Sequence, residues 1–187
     1  MILSIINLID FNIENKFEFE KLLQFIDNIN IKSDFVWLRI KDFKNIYKDL
    51  NLYKTIREKL TKPKLFISSS FIIAKTYSFD GVWLNSNSYN EFSKIKDQEN
   101  YSKLLIGYSA HSIDEINKIN ADFYTLSPIF YTPKDYIVNP LGKINIKNLI
   151  LNKKVFALGG MTLDMENEFI KLGFCGIAGI RFNHIYM

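Results

Sequence analysis

The sequence predicts an α/β fold: a compact (β/α)8 TIM barrel with short loops, built by residues 1–187 as one domain. Three observations predict it. Eight short apolar runs recur at fairly even spacing, each followed by polar residues or glycine. The segments between them switch to helical periodicity. No Ser/Pro/Gly-rich linker divides the chain, which has only 8 Gly and 4 Pro. Short continuous apolar runs bounded by turn residues suit strands buried on both faces. Strands alternating with helices imply a parallel sheet with right-handed crossovers, and eight such units close a barrel. An open doubly wound sheet suits the length better, but eight strands without a G-x-G-x-x-G turn argue against it.

In chain order the strand candidates are Ile2–Leu8, Phe35–Leu38, Leu65–Ile67, Gly81–Leu84, Leu104–Ile106, Phe123–Leu126, Val155–Leu158 and Cys175–Ala178. Between the first two, Phe17, Leu22, Leu23, Phe25 and Ile26 form a helical stripe; Ile46, Leu50, Tyr53, Ile56 and Leu60 form a clearer one. Ile113, Ile116 and Ile119 follow Ser112, a candidate N-cap. Thr162 is a candidate cap for a helix carrying Met165, Phe169 and Leu172, which Gly173 ends. A barrel in 187 residues requires tight loops and some stunted helices.

Composition excludes several classes. With 48% hydrophobic and 24% charged residues, the chain is globular rather than disordered. No apolar run approaches the ~18 residues of a membrane span, and the first apolar stretch runs straight into Asp10 without a basic leader, so a cytoplasmic protein without membrane contact is expected. One cysteine excludes a disulfide framework or a Cys-rich zinc site. The net charge of +4 comes from scattered lysines, with no basic stripe or base-stacking motif, so no nucleic-acid partner is expected. Homo-oligomerisation is left open.

A barrel of this kind carries its site where strands end and helices begin. After the second strand, Arg39 and Lys41 share a face by two-residue spacing and suit an anion clamp, or else a solvated strand end paired to Asp42. After the seventh, Gly159-Gly160 at a strand-to-helix turn permits close approach of a ligand, and a helix N-terminus favours phosphate. Ala178-Gly179 after the eighth strand is read as its neighbouring turn; tight turns without a ligand are the alternative. After the fifth strand stands His111, one of two histidines. Imidazole exchanges protons near neutral pH, so His111 is the candidate acid/base, a capping or surface histidine being the plainer reading. His184 lies close to the chain end and is the poorer candidate. Tyr108, Tyr131 and Lys134 are candidates to orient a substrate. The polar stretch from Ser127 to Lys134, reaching Pro140-Leu141-Gly142, is a lid candidate.

Five stretches in order resemble the thiamine phosphate synthase/TenI superfamily: Gly107-Tyr108-Ser109-Ala110-His111-Ser112, Ala121-Asp122-Phe123 leading to Ser127-Pro128-Ile129-Phe130, Pro140-Leu141-Gly142, Ala157-Leu158-Gly159-Gly160-Met161-Thr162 and Gly173-Phe174-Cys175-Gly176-Ile177-Ala178. The resemblance implies a (β/α)8 barrel acting in thiamine biosynthesis on a phosphorylated thiazole. It also implies ligand contacts from Arg39, Lys41, Ser109, Thr132, Lys134, Gly159, Gly160, Ala178 and Gly179. The synthase branch joins a pyrimidine diphosphate to a thiazole phosphate, using magnesium held by acidic residues after strands three and four. Here those stretches read Ser68-Ser69-Ser70 and Asn85-Ser86-Asn87-Ser88, and Trp37 and Trp83 stand where that branch has glutamine and histidine. The TenI branch is a thiazole tautomerase without those carboxylates, its acid/base histidine falling at His111. The expectation is therefore an isomerase without metal or cofactor. A divergent synthase is the alternative, and a non-catalytic phosphate-ligand binder the third reading.

Overall fold

The computed structural model describes residues 1–41, 50–92, 103–132, 139–142, 152–180 and 182. Eight parallel strands close in sequence order: β1 (Ile2–Asn7), β2 (Phe35–Arg39), β3 (Lys64–Ser68), β4 (Gly81–Leu84), β5 (Leu105–Ala110), β6 (Phe123–Leu126), β7 (Val155–Leu158) and β8 (Gly176–Gly179), with β8 pairing back onto β1. Among the described residues the α-helices are α1 (Lys16–Lys32), α2 (Leu50–Lys59), α3 (Phe71–Thr76), α4 (Ser86–Phe92), α5 (Ile113–Lys118) and α6 (Glu166–Lys171). Of these, α3 to α6 are one to two turns long, the stunting that the chain length requires.

Several boundaries differ from the sequence reading. β1 stops at Asn7, and Leu8–Asp10 form a single 3-10 turn. β5 runs on to Ala110, so Gly107, Tyr108 and Ser109 lie in the strand and not in the loop after it. β8 reaches Gly179, which places Ala178 and Gly179 inside a strand. Thr162 makes no side-chain capping bond; a 3-10 turn at Leu163–Met165 intervenes before α6 begins. On α1 the buried stripe is Leu22, Phe25, Ile26 and Ile29, whereas Phe17 is 68% exposed. Ile46 lies outside the described residues.

Alternate strand residues face the helices. Ile6, Val36, Leu38, Leu65, Ile67, Val82 and Leu84 join the buried helix faces in one apolar shell. The others enter the lumen. In a closed eight-stranded barrel, inward positions step by about two residues between alternate strands, giving layers of four. The observed register then stacks Phe35, Gly81, Phe123 and Gly176 lowest, followed by Leu3, Phe66, Gly107 and Phe156. Above them come Trp37, Trp83, Thr125 and Ala178, and then Ile5, Ser68, Ser109 and Leu158 nearest the mouth. The series returns to its starting strand without a misfit.

The lumen is filled mainly by aromatic rings. Phe35 lies 4.8 Å from Phe123 and 5.5 Å from Phe156, and the Trp37 and Trp83 indoles stack at 5.2 Å and 18°. Two indoles in one layer leave room only for small residues beside them, which Thr125 and Ala178 supply. Gly107 completes the fit: a Cβ there would stand 2.2 Å from Trp83 Cε3.

At the opposite end, three aspartates repeat one contact. Asp34, Asp80 and Asp122 each directly precede an even-numbered strand. Their carboxylates accept from the N–H of Ile2 at 2.7 Å, Leu65 at 2.9 Å and Ile106 at 2.8 Å, each near the start of the preceding strand. Asp80 also takes Arg57 Nη1 at 3.1 Å.

Gly107→Ala should lower unfolding stability by about 1–3 kcal/mol, the usual cost of overpacking. In urea titration, Trp83→Phe combined with Gly107→Ala should cost less than the sum of the single changes, because the two sites share one contact.

Candidate functional site

The mouth is assembled by the loops that follow the strands. His111 is the first residue after β5, and it is solvent-exposed. Its Nδ1 lies 2.9 Å from the carbonyl oxygen of Ser127, just beyond β6. A carbonyl only accepts, so this bond places the ring proton on Nδ1 and leaves the Nε2 lone pair to act as a base. The backbone is held as well. His111 N–H donates to Glu115 Oε2 at 3.0 Å, and the Glu115 N–H donates to Ser112 Oγ at 3.2 Å. Ser112 is thus the N-cap of α5, as its position indicated.

The segment from Ser127 continues over the end of β7. Ile129 N–H donates to Leu158 O at 2.9 Å, and Phe130 N–H to Gly159 O at 3.0 Å. Leu141 N–H and Gly142 N–H return to Pro128 O and Ile129 O. The loops after β5, β6 and β7 therefore form one connected surface with His111 at one side and the diglycine turn at the other. Gly159 and Gly160 have φ of +102° and +67°, a region that L side chains rarely enter. A Cβ on Gly160 would also stand 2.7 Å from Phe130 Cβ. The glycines are thus demanded by the overlying loop, while Gly160 stays solvent-exposed.

The remaining expected site residues separate. Arg39 ends β2, half-buried, with its guanidinium carbon 6.0 Å from the Trp37 ring. Lys41 lies beyond the strand end, exposed. Ser109 is an inward, half-buried residue of the uppermost lumen layer, paired in register with Thr125. Thr132 is half-buried after the loop crosses β7; Lys134 lies outside the described residues, as do Asp42 and His184. Ala178 and Gly179 do not form the expected turn. Ala178 is fully buried in the lumen beside the indoles, and Gly179 faces outward, where a Cβ would meet the Phe182 ring at 2.6 Å. Their glycine and alanine character answers packing demands. Tyr108 is not at the mouth either: it points into the helix layer, T-shaped against Tyr89 at 5.7 Å. Burial pushes its phenol up, with Glu115 and Tyr89 adding to the shift.

Other residues enter that sequence reasoning passed over. Ser68 Oγ accepts from Trp37 Nε1 at 3.0 Å and from Ile40 N–H at 3.1 Å, tying the lumen to the segment between Arg39, at the end of β2, and Lys41. Asn7, at the end of β1, donates from Nδ2 to Asp10 at 2.8 Å. The backbone carbonyl of Ser127 leaves no trace in a sequence. Glu115 did leave one, because Ser112 and Glu115 stand in the S-x-x-E spacing of a capping box.

The stretches after β3 and β4 do not suit magnesium, which prefers hard, usually anionic oxygen ligands. Their donors are neutral, and two of the hydroxyls are engaged in helix starts. Ser70 Oγ accepts from Ile73 N–H, and Ser88 Oγ accepts from Asn85 N–H at 2.9 Å. Among the described residues, no three His, Cys, Asp or Glu side chains gather as a metal site. No described helix is long and apolar enough to cross a membrane.

A closed (β/α)8 barrel with its loops joined at the C-terminal face is the class defined by fold and site. Comparison with known proteins then identifies the family. The family model described as thiamine monophosphate synthase (TMP-TENI) matches residues 14–182, and the chain belongs to this thiamine phosphate synthase/TenI family of thiamine biosynthesis. It is 37% identical over 155 residues to a putative thiamine-phosphate synthase 2 of Aquifex aeolicus, covering 78% of this chain and 80% of that one. Solved thiamine phosphate pyrophosphorylases share the fold. That of Pyrococcus furiosus gives a TM-score of 0.72 at 20% identity, over 96% of this chain and 85% of the other. That of Bacteroides thetaiotaomicron gives 0.65 at 19%, over 100% and 85%. The barrel of N-(5'-phosphoribosyl)anthranilate isomerase from Pyrococcus furiosus aligns with a TM-score of 0.59 at 13% identity, over 95% and 86%. The superfamily resemblance and the barrel are thus established. Between the two enzymatic expectations, the relatives' names favour the synthase alternative over the isomerase.

Cys175, half-buried before β8, has its thiol pushed up to about 12, mainly by desolvation. The unfolded thiol ionises near ~8.5. The folded state therefore binds the proton more tightly, and this contribution to stability is complete below the unfolded value and lost as pH rises towards 12. Iodoacetamide at pH 8 should leave Cys175 unmodified in the native protein and label it in urea, as intact mass will show.

Proposed function

We propose that this barrel binds a phosphorylated thiazole at its C-terminal face and isomerises a thiazole phosphate carboxylate by proton transfer through His111. The carrying observation is the His111–Ser127 contact of 2.9 Å, which leaves the Nε2 lone pair as the base. In this reading Nε2 takes a proton from one carbon of the thiazole substrate and returns it to another, so one C–H bond breaks, one forms, and no electrons leave the substrate. Such a step needs a single group that accepts and donates in turn, and it asks nothing of a metal.

The diglycine turn, with Gly160 exposed, supports a phosphate contact through backbone N–H groups, with Arg39 at the end of β2 as a cation on the same face of the barrel. Lys41, Ser109, Thr132 and Lys134 complete the ligand contacts in this proposal. Ala178 and Gly179 serve it through the shape of the lumen and the outer shell.

A second reading, a divergent thiamine phosphate synthase, draws its support from the name of the Aquifex aeolicus relative. Against it stand the neutral, engaged donors after β3 and β4 and the stacked indoles filling the lumen beneath the mouth. One pair of assays separates the readings. Isomerisation of thiazole phosphate carboxylate, followed with and without magnesium, should proceed equally in both. Magnesium-dependent joining of a pyrimidine diphosphate to thiazole phosphate at a comparable rate would overturn the isomerase in favour of the synthase.

His111→Asn should keep the fold and the affinity for thiazole phosphate while lowering isomerisation by roughly 10²–10⁴-fold, the usual value of general acid–base catalysis. Circular dichroism, phosphate titration and steady-state rates check the three parts; unchanged turnover would remove His111 from the mechanism.

A further inference from the structure

We infer that Glu115 is the positioning residue for His111, an assignment that rests on the isomerase reading above. His111 sits at the first position past a strand, where its neighbour Ser112 already begins a helix cap. A residue there has no ladder partner above it and no helical hydrogen bond of its own to hold its N–H. Glu115 supplies that partner: its Oε2 accepts the His111 N–H at 3.0 Å.

The geometry differs from an ordinary capping box in a way that matters for chemistry. In the usual form the acidic residue reaches back to the N–H of the capping residue itself. Here it reaches one residue further, to the residue that carries the imidazole. Glu115 is itself fixed, because its own N–H is held by Ser112 Oγ at 3.2 Å.

Two independent anchors therefore define the imidazole. The Ser127 carbonyl orients the ring through Nδ1, and Glu115 fixes the backbone from which the ring projects. The anchors come from different elements, the segment after β6 and helix α5. Loss of the Glu115 bond frees the backbone at residue 111 and with it the angle at which Nδ1 meets Ser127. Misplacement of a catalytic group by about 1 Å costs up to ~10²-fold in rate. Glu115 acts through His111 and need not touch the ligand.

The test compares Glu115→Ala with Glu115→Gln in the full chain, using thiazole phosphate carboxylate as substrate. Glu115→Ala should lower kcat by roughly ten- to a hundredfold and leave KM unchanged. Glu115→Gln keeps an acceptor oxygen and should restore most of the loss. In parallel, NMR should show the His111 amide proton protected in the wild type and in Glu115→Gln, and exchanging faster in Glu115→Ala. The ¹⁵N signals of the ring should show the Nδ1–H tautomer weakened in the same variant. Wild-type kcat in Glu115→Ala, or equal protection of the amide in all three proteins, overturns the assignment. Should the wild type fail to isomerise the substrate, the functional proposal falls; the amide and ring signals then decide the positioning role by themselves.

Discussion

Everything at the mouth of this barrel depends on the register of its strands, and the register is held at the far end. A shift of one residue between two strands exchanges every lumen residue for its outward neighbour. The carboxylates of Asp34, Asp80 and Asp122 oppose such a shift at three places, since each binds one particular N–H at the start of the preceding strand. Cys175 stands in the fourth equivalent position, before β8, where only the backbone bond from its N–H to Val155 O continues the pattern. With the register set, Trp37, Trp83, Ser68 and Ser109 point inward, and the strand ends deliver Arg39, His111 and the diglycine turn to a common face.

The lumen joins the two ends. Its aromatic filling gives a rigid floor, and the small residues at 107, 125 and 178 are consequences of the indole pair. Ser68 carries this rigidity upward, since one hydroxyl oxygen accepts from both the Trp37 indole and the backbone that follows Arg39. The floor also sets what the mouth can receive. With two indoles stacked below its uppermost layer, the lumen has no open depth, and the rim is bordered by loop backbone and the few side chains that rise there.

The architecture was legible because strands buried on both faces leave continuous apolar runs, as in Phe35-Val36-Trp37-Leu38. Legibility failed where the lumen wanted something other than a large apolar side chain. Gly107 and Ser109 read as a turn because one makes room for an indole and the other reaches the polar mouth. Gly179 read as a phosphate turn because space for Phe182 and space for a ligand call for the same residue. His111 was legible as a lone histidine at a strand end. Its partner was not, because a main-chain carbonyl belongs to every residue alike. Glu115 shows the intermediate case: its spacing from Ser112 was visible, but which N–H it would hold depended on how the chain leaves β5.

The indole pair has an optical consequence. The chain has 2 tryptophans, and they are the two stacked rings, 7% and 1% exposed. All of the indole emission of this protein therefore originates in one shielded place, at the centre of the closed sheet. Neighbouring transition dipoles at 5.2 Å couple, so the pair carries its own chiral signature in the near ultraviolet. Opening any seam of the barrel separates or hydrates the rings. The molecule thus contains an intrinsic fluorescent gauge of its own closure, and no label has to be introduced to read it.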